Sequence, residues 1–222
     1  MRRVTELQQE LVQPRQTAVT RVPARHAEVY SILVKPLLDY SMSVLLLPLL
    51  LVACAVLLGL NPIFNRGPLF FTQPRMGFRC RAFGAVKFRT MRPVARVTRR
   101  ADDPLEHERI TPLGRVLRRS RIDELPQILN VLRGEMSLIG PRPDYFNHAR
   151  RYMRRVPGYR RRHDVRPGIS GLAQTGLGYV DCTEGTRRKV ALDLRYIEEM
   201  SPRLDLWLVW RTIVTVVCRK GC

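Results

Sequence analysis

Acidic residues are scarce in this chain. It carries 19 Asp and Glu against 39 Lys and Arg over 222 residues, a formal net charge of +20. Lysine is scarcer still: Lys35, Lys87, Lys189 and Lys220 are the only four, so the positive charge is almost all arginine. Such an imbalance points to anionic partners: nucleic acid, acidic lipid headgroups or phosphorylated substrates. The five cysteines (Cys54, Cys80, Cys182, Cys218 and Cys222) are odd in number and form no Cys-x-x-Cys pair. That argues against a disulfide framework and against a structural zinc site. The four histidines, His26, His107, His148 and His163, show no metal-ligand spacing. Internal repeats are lacking, and so are a nucleic-acid-binding motif and an aromatic stacking platform, so nucleic acid drops out as a partner. What is present is a hydrophobic content of 45%, which excludes a disordered basic tail. The length suits one domain, or one domain with an appendage.

The longest apolar run lies near the N-terminus. Residues Tyr40 to Asn65 carry no charge, and Val44 to Leu60 form a core of seventeen residues. As a straight helix that core spans about 26 Å, marginal for a bilayer interior of about 30 Å. Some forty residues precede it and no small-residue cleavage pattern follows, which argues against a secretory signal. The run is apolar on every side, so it has no polar face to present to water. Pro48 sits in its middle, removes a backbone donor and predicts a break or kink. Two shapes follow: a kinked spanning helix, or a helix that turns at Pro48 and leaves on the side it entered. Basic residues flank both ends (Arg21, Arg25 and Lys35 before; Arg66, Arg75 and Arg79 after). Positive charge stays in the cytoplasm, which favours the re-entrant shape.

Residues 1–30 read as a flexible leader and 31–66 as the membrane segment. From Gly67 onward, PLFFTQ and AVKFRT predict a small β-hairpin. Residues 92–112 read as a charged loop. Leu125, Ile128, Leu129 and Leu132 recur at helical spacing, with Asp123 as N-cap, Pro126 in the first turn and Gly134 as terminator. Residues 144–156 read as a basic helix and Gly168 to Gly178 as a glycine-rich loop. Residues 187–200 form an amphipathic helix that stops at Ser201-Pro202. A last helix, about 203–218, carries Trp207 and Trp210. Tryptophan favours the membrane interface, so this helix is expected to lie on the membrane surface, an ordinary core helix being the alternative.

Asp123-Glu124 is the sharpest chemical feature. A carboxylate at a helix N-terminus is stabilised in its ionised form, so Asp123 is expected to stay charged. Adjacent carboxylates point in different directions, which lets one act as a nucleophile while the other holds a cation. Arg115, Arg118, Arg119 and Arg121 precede the pair, and Arg133 and Arg142 follow it. Arg142 lies in Gly140-Pro141-Arg142-Pro143, a rigid turn that would fix its guanidinium, and such forks suit phosphate oxygens.

At these residues the chain resembles the bacterial sugar transferase family, small monotopic phosphoglycosyl transferases that begin lipid-linked glycan assembly. The resemblance rests on Gly67-Pro68 with Phe70-Phe71-Thr72-Gln73 and Arg75, then Lys87-Phe88-Arg89-Thr90-Met91. It continues through Asp123-Glu124-Leu125-Pro126-Gln127 with Asn130-Val131, and the run Gly134 to Pro143. Arg162-His163, Arg166 to Gly171, Ala173-Gln174, Asp193 with Tyr196, and Ser201 with Asp205 complete it. It spans roughly residues 35 to 221.

The resemblance implies an α+β, mostly helical fold: a monotopic membrane protein with a broken re-entrant N-terminal membrane helix, a small β-hairpin and surface-lying amphipathic helices. Residues 67–222 would be the cytoplasmic catalytic domain, on the cytoplasmic face of the bacterial inner membrane. It implies transfer of a sugar-1-phosphate from a UDP-sugar to undecaprenyl (polyprenyl) phosphate with release of UMP. Asp123 would be the nucleophile that carries the phosphosugar and Glu124 the carboxylate associated with Mg²⁺. Lys87, Arg118 and Arg142 would hold substrate phosphates. Such a reaction would start exopolysaccharide, capsule or glycan assembly. Other arginines, especially those from Arg150 to Arg166, would meet anionic lipids. A homo-oligomer is compatible with this reading, and a non-catalytic membrane scaffold or regulator is the alternative to it. The sequence departs from the family pattern in three places. No Ser precedes Pro48, Pro36 follows Lys35, and Leu172 and Thr175–Gly178 alter a loop that could touch sugar or nucleotide.

Overall fold

The computed structural model describes residues 29–93, 106–177 and 183–217. The expected leader therefore lies almost wholly outside the described residues. A π-helical turn, Tyr30–Val34, leads into a single long helix, α1 (Lys35–Phe64). Pro36 is tolerated in its first turn. The expected break at Pro48 is not there: the helix is continuous from Lys35 to Phe64 with both Pro48 and Pro62 inside it. A proline removes one donor and crowds one preceding carbonyl, a local defect that a leucine-rich helix can absorb by bending.

The buried positions of α1 are Lys35, Asp39, Ser43, Leu50, Leu57 and Asn61. Their spacings of four and seven place them on one face. This stripe docks on the rest of the protein along its whole length. Near the N-terminal end, Asp39 accepts hydrogen bonds from Ser137 Oγ at 2.6 Å and from the Leu138 amide at 3.1 Å. Lys35 pairs with Asp205 at 2.6 Å, and Asp205 also accepts from the Tyr30 and Tyr196 hydroxyls. At the other end, Asn61 donates to the Gly67 carbonyl at 2.7 Å, and Asn65 donates to the Arg89 carbonyl at 2.8 Å. The opposite face exposes Leu37, Leu45, Leu51, Val52, Leu58 and Ile63. Only 17% of its most apolar stretch is buried, which is not how the core helix of a soluble protein behaves.

The predicted hairpin is present. Strand β1 (Phe70–Met76) pairs antiparallel with β2 (Ala82–Phe88), with Phe71 opposite Lys87 and Met76 opposite Ala82. Helix α2 (Pro112–Arg119) starts at Thr111, whose side chain accepts from the Gly114 amide at 3.0 Å. Gly114 lies flat on the backbone of Thr90, where a Cβ would sit 2.0 Å from the Thr90 carbonyl oxygen. A tight 3-10 turn, Ile122–Gln127, then leads into the short helix α3 (Ile128–Leu132). Gly134 ends this segment at φ +74°, as its position predicts. Asn130 is fully buried, accepts from the Val86 amide at 3.0 Å and donates to the Gly84 carbonyl at 2.8 Å, so it bolts α3 to β2.

The glycine-rich segment expected to be a loop is partly regular. Strand β3 (Ser137–Ile139) pairs in parallel with β4 (Gly168–Ser170), and a short helix, α5 (Leu172–Leu177), follows. The glycines are there for close backbone approach: a Cβ on Gly168 would meet the Gly140 amide at 2.1 Å. Three helices complete the chain: α4 (Phe146–Arg155), α6 (Thr183–Glu199) and α7 (Pro202–Val217). Helix α7 buries Leu208 completely beside Tyr196 and Met200. It leaves Leu206, Trp210, Ile213 and Val214 exposed, a second apolar face that suits the expected surface-lying role. Leu50 and Leu57 of α1 pack with Phe88, Leu117 and Ile128, so α1 shares a core with the segment that carries the carboxylate pair.

Candidate active site

Asp123 and Glu124 lie in the 3-10 turn and not at the cap of an α-helix. The turn is entered through Arg121 in the left-handed region, φ +58°, with no side-chain cap. The N-cap expectation fails because Pro126 and the left-handed Arg121 compress the segment into a tight turn before α3 begins. Both carboxylates are buried, at 8% and 7% exposure.

The residues singled out from the sequence converge here. Lys87, on β2, donates to Glu124 Oε1 at 2.6 Å. Arg142, from the Gly-Pro-Arg-Pro turn, donates through Nη1 to Glu124 Oε2 at 3.0 Å and through Nη2 to Oε1. Arg121 adds a longer contact to Glu124 at 3.7 Å. Arg118, on α2, donates its Nε to Thr90 Oγ1 at 2.9 Å and bears electrostatically on Asp123. Arg115, Arg119 and Arg133 are exposed and do not join this group. Pro48 lies on the exposed side of α1, away from the charged cluster.

Electrostatics separates the two acids. Burial alone would raise Glu124, but the Arg142 guanidinium and the Lys87 ammonium outweigh it and hold the carboxyl well below its usual range. Burial, followed by the Glu124 charge beside it, pushes Asp123 up to about 6 in spite of Lys87, Arg118 and Arg142. The expectation of an Asp123 held at low pKa is thus reversed: Glu124 is the firmly ionised member and Asp123 the titratable one. Burial also lowers Lys87, to about 8, against the pull of Glu124. The site therefore offers a basic but still ionisable carboxylate next to three cations, an arrangement suited to nucleophilic attack on an anionic phosphorus centre.

Several supporting residues were not singled out as site residues. Thr90 holds Arg118. Arg89 donates to the carbonyls of Pro68, Met91 and Asn65 and to Asn65 Oδ1, which ties the end of α1 to the strand bearing Lys87. Arg162, placed with the lipid-facing arginines by charge alone, has a fully buried side chain. Its signal in the sequence was its place in the Arg162-His163 motif; the Asp144, Tyr159 and Asp193 set around it is legible only once the chain is folded. An open groove lined by Leu58, Asn61, Pro62, Arg66, Gly67 and Leu69 lies at the end of α1 and includes none of the charged site residues.

The bacterial sugar transferase family matches residues 30–219, and the chain belongs to that family. It is 41% identical over 192 residues to the UDP-N-acetylgalactosamine-undecaprenyl-phosphate N-acetylgalactosaminephosphotransferase of Aeromonas hydrophila, covering 83% of this chain and 44% of that protein. It is 41% identical over 183 residues to the UDP-glucose:undecaprenyl-phosphate glucose-1-phosphate transferase of Caulobacter vibrioides, covering 79% of this chain and 65% of the relative. An exopolysaccharide production protein of Rhizobium leguminosarum bv. phaseoli, PSS, is 41% identical over 162 residues, covering 70% of this chain and 81% of its own length. The chain thus spans about half to two thirds of the first two relatives.

Proposed function

We propose that this protein transfers a sugar-1-phosphate from a UDP-sugar to undecaprenyl or a similar polyprenyl phosphate, releasing UMP, as the first step of exopolysaccharide, capsule or glycan assembly. The observation that carries the reading is the convergence of Lys87, Arg118 and Arg142 on the buried Asp123-Glu124 pair. The names of the relatives supply the substrate class.

In the first half-reaction an Asp123 carboxylate oxygen attacks the β-phosphorus of the UDP-sugar. The bond from that phosphorus to the bridging oxygen breaks, and UMP leaves with the electron pair. In the second half-reaction a phosphate oxygen of the polyprenyl phosphate attacks the same phosphorus and Asp123 departs as a carboxylate. Lys87, Arg118 and Arg142 neutralise the phosphate oxygens and fix their orientation, the larger part of phosphoryl-transfer catalysis. Glu124 stays ionised and sets the positions of Lys87 and Arg142.

Among the described residues no group of three or more His, Cys, Asp or Glu could cage a metal ion. Mg²⁺ needs no such cage, since one or two carboxylates plus substrate phosphates suffice. Asp123 and Glu124 fit that donor set: they are adjacent, and Glu124 is held firmly ionised. Bound there, Mg²⁺ would supply charge neutralisation of the diphosphate.

Location follows from the anchor. Both ends of the unbroken α1 dock on the same body, through Asp39 and through Asn61 and Asn65, which supports an anchor that lies along one face of the membrane rather than crossing it. The exposed apolar face of α7 would lie in the same interface. The basic residues on both flanks of α1 support the cytoplasmic side of the inner membrane for that face, with anionic lipids beside the exposed arginines. The reading is tested by incubating the purified protein with UDP-sugars, polyprenyl phosphate and Mg²⁺. UMP release that needs Asp123 supports it; release by Asp123→Asn at the wild-type rate refutes it.

A further inference from the structure

The Gly140-Pro141-Arg142-Pro143 turn has no regular structure, yet the backbone carbonyls around it are held one after another. The Gly168 amide donates to Pro141 O at 3.0 Å, and the Met76 amide donates to Asp144 O at 3.1 Å. The two carbonyls between them are held by side chains. Arg162 Nη2 donates to Arg142 O at 2.7 Å, and Arg75 Nη1 donates to Pro143 O at 2.6 Å. Four successive carbonyls are thus fixed, and two of them by guanidinium groups from elements far apart in sequence.

Arg162 is itself immobilised. Its side chain is fully buried, paired with Asp144 and, at 2.7 Å, with Asp193, and its guanidinium lies 4.9 Å from the Tyr159 ring centroid. Asp144, next after Pro143, also receives Lys189 at 2.6 Å and the Tyr159 hydroxyl at 2.7 Å. Burial works against the Asp144 charge, but Lys189 and Arg162 outweigh it and keep the carboxylate ionised. Arg75 is half-buried and braced on Gln73 Oε1 at 2.6 Å. The turn therefore sits in a frame whose members have little freedom to move.

We infer that Arg162 and Arg75 are positioning residues for the transfer reaction: by gripping the carbonyls of Arg142 and Pro143 they aim the Arg142 guanidinium at the substrate diphosphate. The inference rests on the proposed role of Arg142 as a phosphate ligand. It goes beyond that role in naming what aims the fork. A guanidinium fork needs a fixed backbone because its donors are planar and directional, whereas a lysine at the same place would act as a flexible point charge.

The test is a pair of double-mutant cycles on the full chain, read as kcat/KM for UMP release, with melting temperature recorded for each variant. Arg75→Lys and Arg162→Lys keep the charge but lose the fork. Each is expected to lower kcat/KM by about 10- to 100-fold when Arg142 is present, the usual effect of misplacing a catalytic group by about 1 Å. In an Arg142→Lys background each is expected to cost less than about twofold, because the flexible ammonium no longer reads the orientation of the turn. A merely structural role would lower activity by the same factor in both backgrounds, and that result overturns the inference. Wild-type kcat/KM in Arg75→Lys overturns it as well. Where Arg162→Lys fails to fold, the Arg75 cycle alone decides. Wild-type protein that releases no UMP from any UDP-sugar would defeat the proposed function, whereas an active wild type with multiplicative cycles defeats only the positioning claim.

Discussion

Arg142 grips Glu124 with both terminal guanidinium nitrogens, and the grip decides which acid of the pair stays charged. Two adjacent buried carboxylates repel each other. Because Arg142 and Lys87 bond Glu124 directly, the burden of burial and repulsion falls on Asp123. A carboxylate of raised basicity is a better nucleophile once ionised, so the cations that would bind phosphate also tune the attacking group.

The pH dependence follows from that division. In the proposed mechanism Asp123 must be ionised to attack, and it titrates at about 6. In the same mechanism Lys87 must be protonated to hold phosphate, and it loses its proton at about 8. The kcat/KM for UMP release should rise through about pH 6, hold between, and fall through about pH 8. A profile that is flat from about pH 5 to pH 9 would remove both groups from the mechanism.

The same shift bears on stability. The folded protein binds the Asp123 proton more tightly than the unfolded chain does. The stability contributed by this group is therefore fully present below the unfolded pKa and is lost as pH rises through about 6. Asp123→Asn should melt a few degrees above wild type at about pH 8, and this advantage should shrink towards about pH 4. Differential scanning calorimetry on the detergent-solubilised protein reads both points.

Lys35 and Asp205 join the start of α1 to α7, at 11% side-chain exposure each. Removing one partner leaves the other buried and unpaired. Asp205→Leu should cost about 3–5 kcal/mol and lower the melting temperature sharply. Replacing both residues with apolar ones should recover most of that loss, as the same melts would record.

Gly168 gives a steric prediction. A methyl group there would sit against the backbone of Gly140, so the parallel β3–β4 contact must open. Gly168→Ala should destabilise by about 1–3 kcal/mol. Through the displaced Gly-Pro-Arg-Pro turn it should also depress UMP release in the fraction that remains folded. Unchanged melting and activity would show that the turn does not depend on this contact.

Anchor topology has its own test. Val29 and Arg66 flank α1 and are both exposed. In a chain whose own cysteines are replaced, Val29→Cys and Arg66→Cys should both react with an impermeant maleimide from the same side of oriented membrane vesicles. Labelling from opposite sides would mean that α1 crosses the bilayer.

Much of this architecture was legible in the sequence because it rests on strong local signals. The uninterrupted apolar run marked α1, two short apolar-rich runs beside turn-prone residues marked the hairpin, and Ser201-Pro202 marked the break before α7. The charged site was legible because Lys87, Asp123, Glu124 and Arg142 lie in distinct motifs, although nothing local says that Lys87 and Arg142 meet on the same carboxylate. Three features were not legible. Pro48 signals a break, yet one lost hydrogen bond does not outweigh the helix around it. Strands β3 and β4 have three residues each, too few to show a period, and their pairing is set by glycine contacts across the chain. The raised pKa of Asp123 depends on burial by residues distant in sequence, which an N-terminal turn alone does not reveal.

Intact-protein mass spectrometry after mixing the enzyme with a UDP-sugar, without acceptor lipid, tests the central claim most directly. The expected result is a mass increase of one phosphosugar, mapped by peptide analysis to Asp123, discharged on adding polyprenyl phosphate and absent in Asp123→Asn. UMP release at the wild-type rate by Asp123→Asn, or an adduct mapped to another residue, would contradict it.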